Sequence, residues 1–242
     1  MSDPNGLLSS CVGRYNESLV LFDWALQTDP ENIEVLLGKS ATLDRIGRYA
    51  EALAVIEKIH AIDNLQSDAW YLKGFFLYHR GDLMQALPCL TEALKLNPCH
   101  VEAWCAQGNC HYYLGEQDEA MECYDAAIRI DHAYPRAWYN KGVVLSDTRR
   151  YEEALLCYEE VLRINPGVAT VWTNKGYCLA MTGRYQDAVD AFTNALEINP
   201  AEITAWNDKA AALRRLGRDE DAEFCVKKVI DLGRNRGPSL VL

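Results

Sequence analysis

The sequence predicts an all-α fold, an α-solenoid of stacked antiparallel helix pairs. Three observations predict it. Trp70, Trp104, Trp138, Trp172 and Trp206 follow one another at a spacing of 34 residues. A fixed period of this length marks a stacked repeat architecture. Four places after each Trp stands a small residue (Gly74, Gly108, Gly142, Gly176, Ala210), and seven places after stand Leu77, His111, Leu145, Leu179 and Leu213. These positions share one stripe of a helix. Sixteen places after, every copy has Ala: Ala86, Ala120, Ala154, Ala188 and Ala222.

The repeat reads as helix, turn, helix, stop. The first helix carries the Trp, whose bulk faces the core, and the small residue that admits a second helix closely. It ends at Gly81, Gly115, Arg149, Gly183 or Gly217, eleven places on, where a left-handed C-cap belongs. The second helix carries Ala, then a larger apolar residue (Leu90, Tyr124, Tyr158, Phe192, Val226), then Ala93, Ala127, Val161, Ala195 or Val229. Pro98, Pro166 and Pro200 end it, because the residue before a proline is pushed out of the α region. Pro88 falls inside a second helix and is expected in its first turn, or at a local bend.

Extending the period backwards gives a copy at 33–66, with Leu36 in place of Trp. Before it lies an incomplete repeat or cap over residues 1–32. Its second helix carries Tyr15, Ser18, Phe22 and Ala25, and its first, Gly6 to Val12, is short. Trp24 is off the period and is expected to pack as an end cap. Six repeats follow (33–66, 67–100, 101–134, 135–168, 169–202, 203–236), then a tail at 237–242. The last helix (Phe224, Val226, Val229, Ile230, Leu232) and the tail (Leu240, Val241, Leu242) are apolar, with no polar capping helix after them. Homo-oligomerisation through this end is therefore a second expectation.

This pattern resembles the tetratricopeptide repeat, whose signature has Trp, a small residue four places on, Ala, an apolar residue and Pro in this order. Lys73, Lys141, Lys175 and Lys209 stand where the family has Leu, with Gln107 in the remaining copy. A Lys stem covers apolar surface while its head reaches water, so the resemblance holds. It implies a right-handed superhelix whose first helices line a concave peptide groove. The function it implies is a protein–protein interaction scaffold and not an enzyme, with no catalytic residues.

On each first helix, positions one, two, five, eight and nine after the Trp point away from the core. They place Tyr71, Phe75, Tyr78 and His79 on the groove, then Asn109, Tyr112 and Tyr113. Tyr139 and Asn140 follow, then Asn174 and Tyr177, and lastly Arg214 and Arg215, with Asn207 and Asp208 beside them. The aromatic rings suit apolar, aromatic or Pro side chains. The amides suit an extended backbone, and the arginines an acidic group. The alternative is that the tyrosines fill gaps between neighbouring first helices. Chaperone-binding members of the family grip a C-terminal carboxylate with Lys, Asn and Arg. Leu37, Ala41, Tyr71, Phe75, Tyr139 and Val143 occupy the corresponding places here, which argues against that ligand.

The chain has 24 Lys and Arg against 35 Asp and Glu, a net charge of −11. Such a balance argues against nucleic acid or an anionic membrane as partner and permits a basic ligand. No apolar run approaches the ~18 residues of a membrane span. An N-terminus with Asp3, Pro4 and Asn5 lacks the basic region of a secretory signal. Nine cysteines, an odd number, read as free thiols in a reducing, cytoplasmic setting.

Cys89, Cys123, Cys157 and Cys225 share one place in the repeat, and Cys110 and Cys178 another, as buried packing residues would. Cys99, His100, Cys105, Cys110 and His111 form a local cluster. Cys105 and Cys110, five apart, point about 140° from each other on a helix, so no metal is expected, and a metal- or thiol-dependent protein is the lesser alternative that the cysteine count alone supports. His60, His79 and His132 have no triad partners in sequence. Paired carboxylates such as Glu152 and Glu153, or Glu159 and Glu160, read as solvated faces. Gly81, Gly115 and Gly183 are single turn glycines without a phosphate-loop pattern, and no cofactor is expected.

Overall fold

The computed structural model describes the backbone of residues 4–235 and the side chains of residues 14–234. Among these residues there are thirteen helices and no strand. In chain order they are α1 (Pro4–Thr28), α2 (Ile33–Arg45), α3 (Tyr49–Ile62), α4 (Ser67–His79), α5 (Leu83–Leu96), α6 (Val101–Leu114) and α7 (Gln117–Ile130). After them come α8 (Pro135–Asp147), α9 (Tyr151–Ile164), α10 (Ala169–Met181), α11 (Tyr185–Ile198), α12 (Ile203–Arg215) and α13 (Asp219–Asn235). The chain divides into two compact bodies, one ending at Ile130 and the other beginning at Asp131.

Within each body, a first helix packs on its own second helix and on the neighbouring first helices. Second helices touch the next first helix but, among the described residues, never one another. The first helices therefore crowd the inner side of each body: α2, α4 and α6 in one, α8, α10 and α12 in the other.

The turn residues behave as their chemistry demands. Gly47, Gly81, Gly115, Gly183 and Gly217 have φ between 72° and 86°. The Gly183 N–H donates to the Ala180 carbonyl at 3.1 Å and the Arg184 N–H to the Leu179 carbonyl at 2.9 Å. This double closure satisfies carbonyls that the helix end leaves open. Arg149 adopts the same left-handed conformation, at φ 61°, without glycine's freedom.

Small residues at the fourth place receive the large side chain of the facing helix. A methyl group on Gly108 would lie 2.6 Å from the Tyr124 ring, on Gly142 2.7 Å from Tyr158, and on Gly176 2.6 Å from Phe192. These rings are at most 1% exposed. Burying each is worth about 1.5–3 kcal/mol. The alanines at the sixteenth place are buried completely or nearly so.

The tryptophans are not the deepest part of this core, contrary to the expectation from spacing. All five are half-buried, and the residue before each (Ala69, Ala103, Ala137, Val171, Ala205) is at most 1% exposed. Each indole N–H instead donates to the carbonyl six residues earlier: Asn64, Pro98, His132, Pro166 and Pro200, at 2.7–2.9 Å. The indole thus pins the loop that enters its helix. Leu36, whose side chain has no N–H to offer, is buried at 2% exposure.

Two further periodic contacts support the loops and the helix pairs. Asp63, Asn97, Asp131, Asn165 and Asn199 each accept from the backbone N–H two residues on, at 2.9–3.2 Å. Such self-bonding favours turns over helix. Lys73 reaches Glu57 at 2.7 Å and Lys175 reaches Glu159 at 3.0 Å, and both heads lie over the Trp three places earlier. Lys73 and Lys175, two of the lysines that replace the family's Leu, therefore tie a first helix to the preceding second helix. Gln107 makes the uncharged version, donating to Thr91 at 3.1 Å.

At the N-terminal end the structure departs from expectation. One helix, α1, runs from Pro4 to Thr28, so the break before Tyr15 is not formed. Leu19, Phe22 and Leu26 pack on α2 and its neighbours, but Trp24 is 69% exposed and does not cover the end of the core formed by the described residues. Pro88 lies in the second turn of α5, not the first. It sits on the exposed face, and the helix continues across it.

Candidate functional site

In the first body, α4 and α6 bring the expected aromatic residues into one run of touching rings. Tyr71 lies 5.7 Å from Phe75, and Phe75 meets His79 edge-on at 4.3 Å. His79 meets Tyr78 at 5.2 Å, Tyr78 meets Tyr113 at 5.9 Å, and Tyr113 meets Tyr112 at 5.2 Å. Tyr71, Phe75, Tyr78 and Tyr112 are half-buried, His79 is exposed, and Tyr113 is 65% exposed. Tyr78 and Tyr113 share a hydrogen bond, and burial pushes the Tyr78 hydroxyl well above the usual phenol range. That hydroxyl stays protonated and donates or accepts without carrying charge.

Asn109 stands apart from this surface. Its Oδ1 accepts from the buried Tyr124 hydroxyl at 2.8 Å. The oxygen expected to hold a peptide N–H is therefore committed to the core. Burial without a counter-charge pushes the Tyr124 hydroxyl up strongly, so its proton is retained for this bond.

In the second body, Asn174 donates to the Tyr139 hydroxyl at 3.4 Å. Tyr139 packs near Tyr158 at 6.3 Å, which makes it part gap-filler between α8 and α9. Asn140 is half-buried on α8. Tyr177 is 42% exposed and meets the Tyr151 ring edge-on at 6.2 Å. Arg214 and Arg215 are exposed at the end of α12, and the Arg215 guanidinium lies 5.1 Å over the Tyr185 ring. The basic patch expected there is thus half committed to a tyrosine face.

Beside Tyr177 the second body has a pocket of about 270 Å³, whose lining includes Tyr177, Met181, Tyr185, Phe192, Asp208 and Arg215. Sequence reasoning passed over Tyr185 because it surveyed only first helices for groove residues. A signal was present: Tyr49, Tyr151 and Tyr185 all stand thirteen places after Leu36 or the Trp of their repeats, at the first residue of a second helix. Each reaches the inner edge. Tyr49 stacks on His79, Tyr151 meets Tyr177 edge-on, and Tyr185 lies under Arg215.

The cysteine and histidine cluster is held by packing and capping. Cys105 and Cys110 are at most 1% exposed, and Cys99 is exposed. His100 Nδ1 accepts from the Ala103 N–H at 3.3 Å as the N-cap of α6, and its ring lies 4.7 Å from Tyr71. His111 pairs with Glu116 at 2.6 Å. Cys89, Cys123, Cys157, Cys178 and Cys225 are buried as their repeat positions predict. Burial pushes the Cys110 and Cys123 thiols up to about 12, away from nucleophilic use. No helix among the described residues is long and apolar enough to cross a membrane. On α13, Phe224 and Ile230 are 56% and 49% exposed. They stand about 120° apart around the helix, at 100° per residue. Leu240, Val241 and Leu242 lie outside the described residues.

Comparison with known proteins agrees with this architecture. Sequence models described as tetratricopeptide or TPR repeats match residues 12–74, 67–99, 108–148, 135–168 and 169–201. No curated protein sequence matches the chain. Among solved structures, MamA from Desulfovibrio magneticus RS-1 superposes with a TM-score of 0.67 at 22% identity, over 71% of this chain and 97% of that one. YrrB, described as a TPR protein with an unusual peptide-binding site, gives 0.60 at 20% identity, over 76% of this chain and 95% of that one. A chain of the APC/C hetero-tetramer Cut9–Hcn1 gives 0.74 at 18% identity, over 92% of this chain but 44% of that one. With the 34-residue period, the helix pairs and the left-handed turns already in place, the matches carry one conclusion: the chain belongs to the tetratricopeptide-repeat family.

Proposed function

We propose that the protein is a non-enzymatic scaffold that binds an extended peptide segment of a protein partner along its first helices. The observation that carries this reading is the run of rings from Tyr71 to Tyr113. The rings lie on the inner side of the first body and remain partly open to solvent, although the helix-pair core is complete without Tyr113 and His79. Open aromatic surface of this kind anchors apolar or Pro side chains at little ordering cost. In the second body, Asn140, Asn174, Tyr177, Arg214 and Arg215 supply the polar part of the reading. The peptide-binding site described for YrrB, a protein of similar fold, is consistent with it. A reducing, cytoplasmic setting is part of the proposal and rests on buried thiols used as packing residues.

The test is a displayed peptide library selected on the full chain, followed by affinity measurement on His79→Ala/Tyr113→Ala. The expected result is a loss of at least tenfold, about 1.4 kcal/mol, with helix content and melting temperature nearly unchanged. Unchanged affinity would show that the rings are packing only.

Self-association through α13 is a second reading, favoured by the exposed Phe224 and Ile230. Light scattering over a dilution series decides it, and a monomer at every concentration removes it.

A further inference from the structure

The pocket beside Tyr177 in the second body has an unusual combination of parts. Its walls are apolar and aromatic: Tyr177 and Met181 from α10, Tyr185 and Phe192 from α11. In it stands one carboxylate, Asp208 of α12, half-buried and without a hydrogen bond or ion pair among the described residues. Burial pushes the Asp208 carboxyl up. Arg215 lines the same pocket, but its guanidinium lies over Tyr185 and makes no ion pair with Asp208 among the described residues. Elsewhere the helices' acids are commonly paired, as Glu57 is with Lys73, Glu159 with Lys175 and Asp187 with Arg184. Asp208 is an acid in a largely apolar recess with no ion-pair partner among the described residues.

We propose that this pocket receives an arginine side chain of the bound partner, with Asp208 accepting from its guanidinium and the Tyr177 and Tyr185 rings flanking it. The proposal deepens the groove reading and rests on it. Three features select this occupant. A half-buried carboxylate without a partner favours an opposite charge over a neutral group. A guanidinium is planar and weakly hydrated, so it tolerates a half-buried site between rings better than an ammonium does. The pocket already shows the fit, because Arg215 lays its own guanidinium over Tyr185 from the rim. Met181, 51% exposed, gives the aliphatic stem a flexible apolar wall. The net charge of −11 adds a field that draws a basic segment to the protein.

The experiment uses the full chain labelled at its Met and Ala methyl groups, observed by NMR. The probes are N-acetyl-arginine methylamide and its citrulline counterpart, which keeps the shape and lacks the charge. Saturable shifts at the Met181 and Ala211 methyls are expected with the arginine probe. Binding should be at least tenfold weaker for citrulline, and for arginine on Asp208→Asn. Tyr185→Leu, which keeps the wall apolar and removes the ring, should weaken it several-fold with unchanged helix content. Equal binding of the two probes, no response to arginine, or full binding by Asp208→Asn overturns the inference. Failure of the peptide selection while the arginine probe still binds would sink the groove reading and leave the pocket standing. Selected peptides without a basic position, together with no probe response, would do the reverse.

Discussion

A methyl group added at Gly176 would collide with a ring that has nowhere to go. The nearest Phe192 atom is 2.6 Å away, and the ring is fully buried. Gly176→Ala should cost about 1–3 kcal/mol in urea unfolding, as overpacking does. The last repeat shows the remedy, since it carries Ala210 and Val226 at the same two places. Gly176→Ala with Phe192→Val should therefore be less unstable than the two separate losses sum to. Arg149 presents the opposite case. It alone among the equivalent turn positions holds φ 61° with a side chain. Arg149→Gly should raise stability by about 1 kcal/mol, read as a higher melting temperature. Asp208 has a pH signature. Its folded carboxyl is raised by burial, so the folded state holds the proton more tightly than the unfolded chain. The charge therefore costs stability at neutral pH, and the cost fades as pH falls through the carboxylate range. Asp208→Asn should melt higher than the wild type at pH 7, with the gap closing in acid. A gap independent of pH would assign the effect to something other than charge.

Five first helices, α4, α6, α8, α10 and α12, are held at their start by an indole and at their end by a left-handed residue, so the element's length is decided by two contacts outside its own ladder. Trp172→Phe keeps an aromatic ring of smaller area and removes the N–H that reaches the Pro166 carbonyl at 2.9 Å. At least about 0.5–1.5 kcal/mol should be lost, the net worth of one hydrogen bond, with the lost ring area adding to it. Faster amide exchange at the α9–α10 loop would locate the loss. The second helices start with exposed pairs such as Arg184–Asp187 and Arg218–Asp221. Removing one of these should change little, because exposed pairs are worth about 0–1 kcal/mol.

For the molecule as a whole, eight described cysteines measure how closed the repeats are. Seven are buried and Cys99 is exposed. On a Cys11→Ser background, a thiol reagent should label one site rapidly in the native protein and the rest only on unfolding. Several fast thiols would mean that the helix pairs open readily.

Much of this was legible in the chain. The 34-residue period, the glycines at the eleventh place and the alanines at the sixteenth determine helix pairs, turns and the main stripe of the core. These signals are local: a helical face repeats every three or four residues, and a left-handed turn needs glycine on the spot. Tertiary structure alone decided how polar groups are used. Asn109 serves Tyr124, fifteen residues away, and Asn174 serves Tyr139, thirty-five away. The tryptophans turned out to be loop clamps, since an indole carries both bulk and a donor, and only the packed loop shows which matters. The pocket around Asp208 belongs to the same class. It is built from three helices, α10, α11 and α12, and no single helix's periodicity states how the edges of three helices meet.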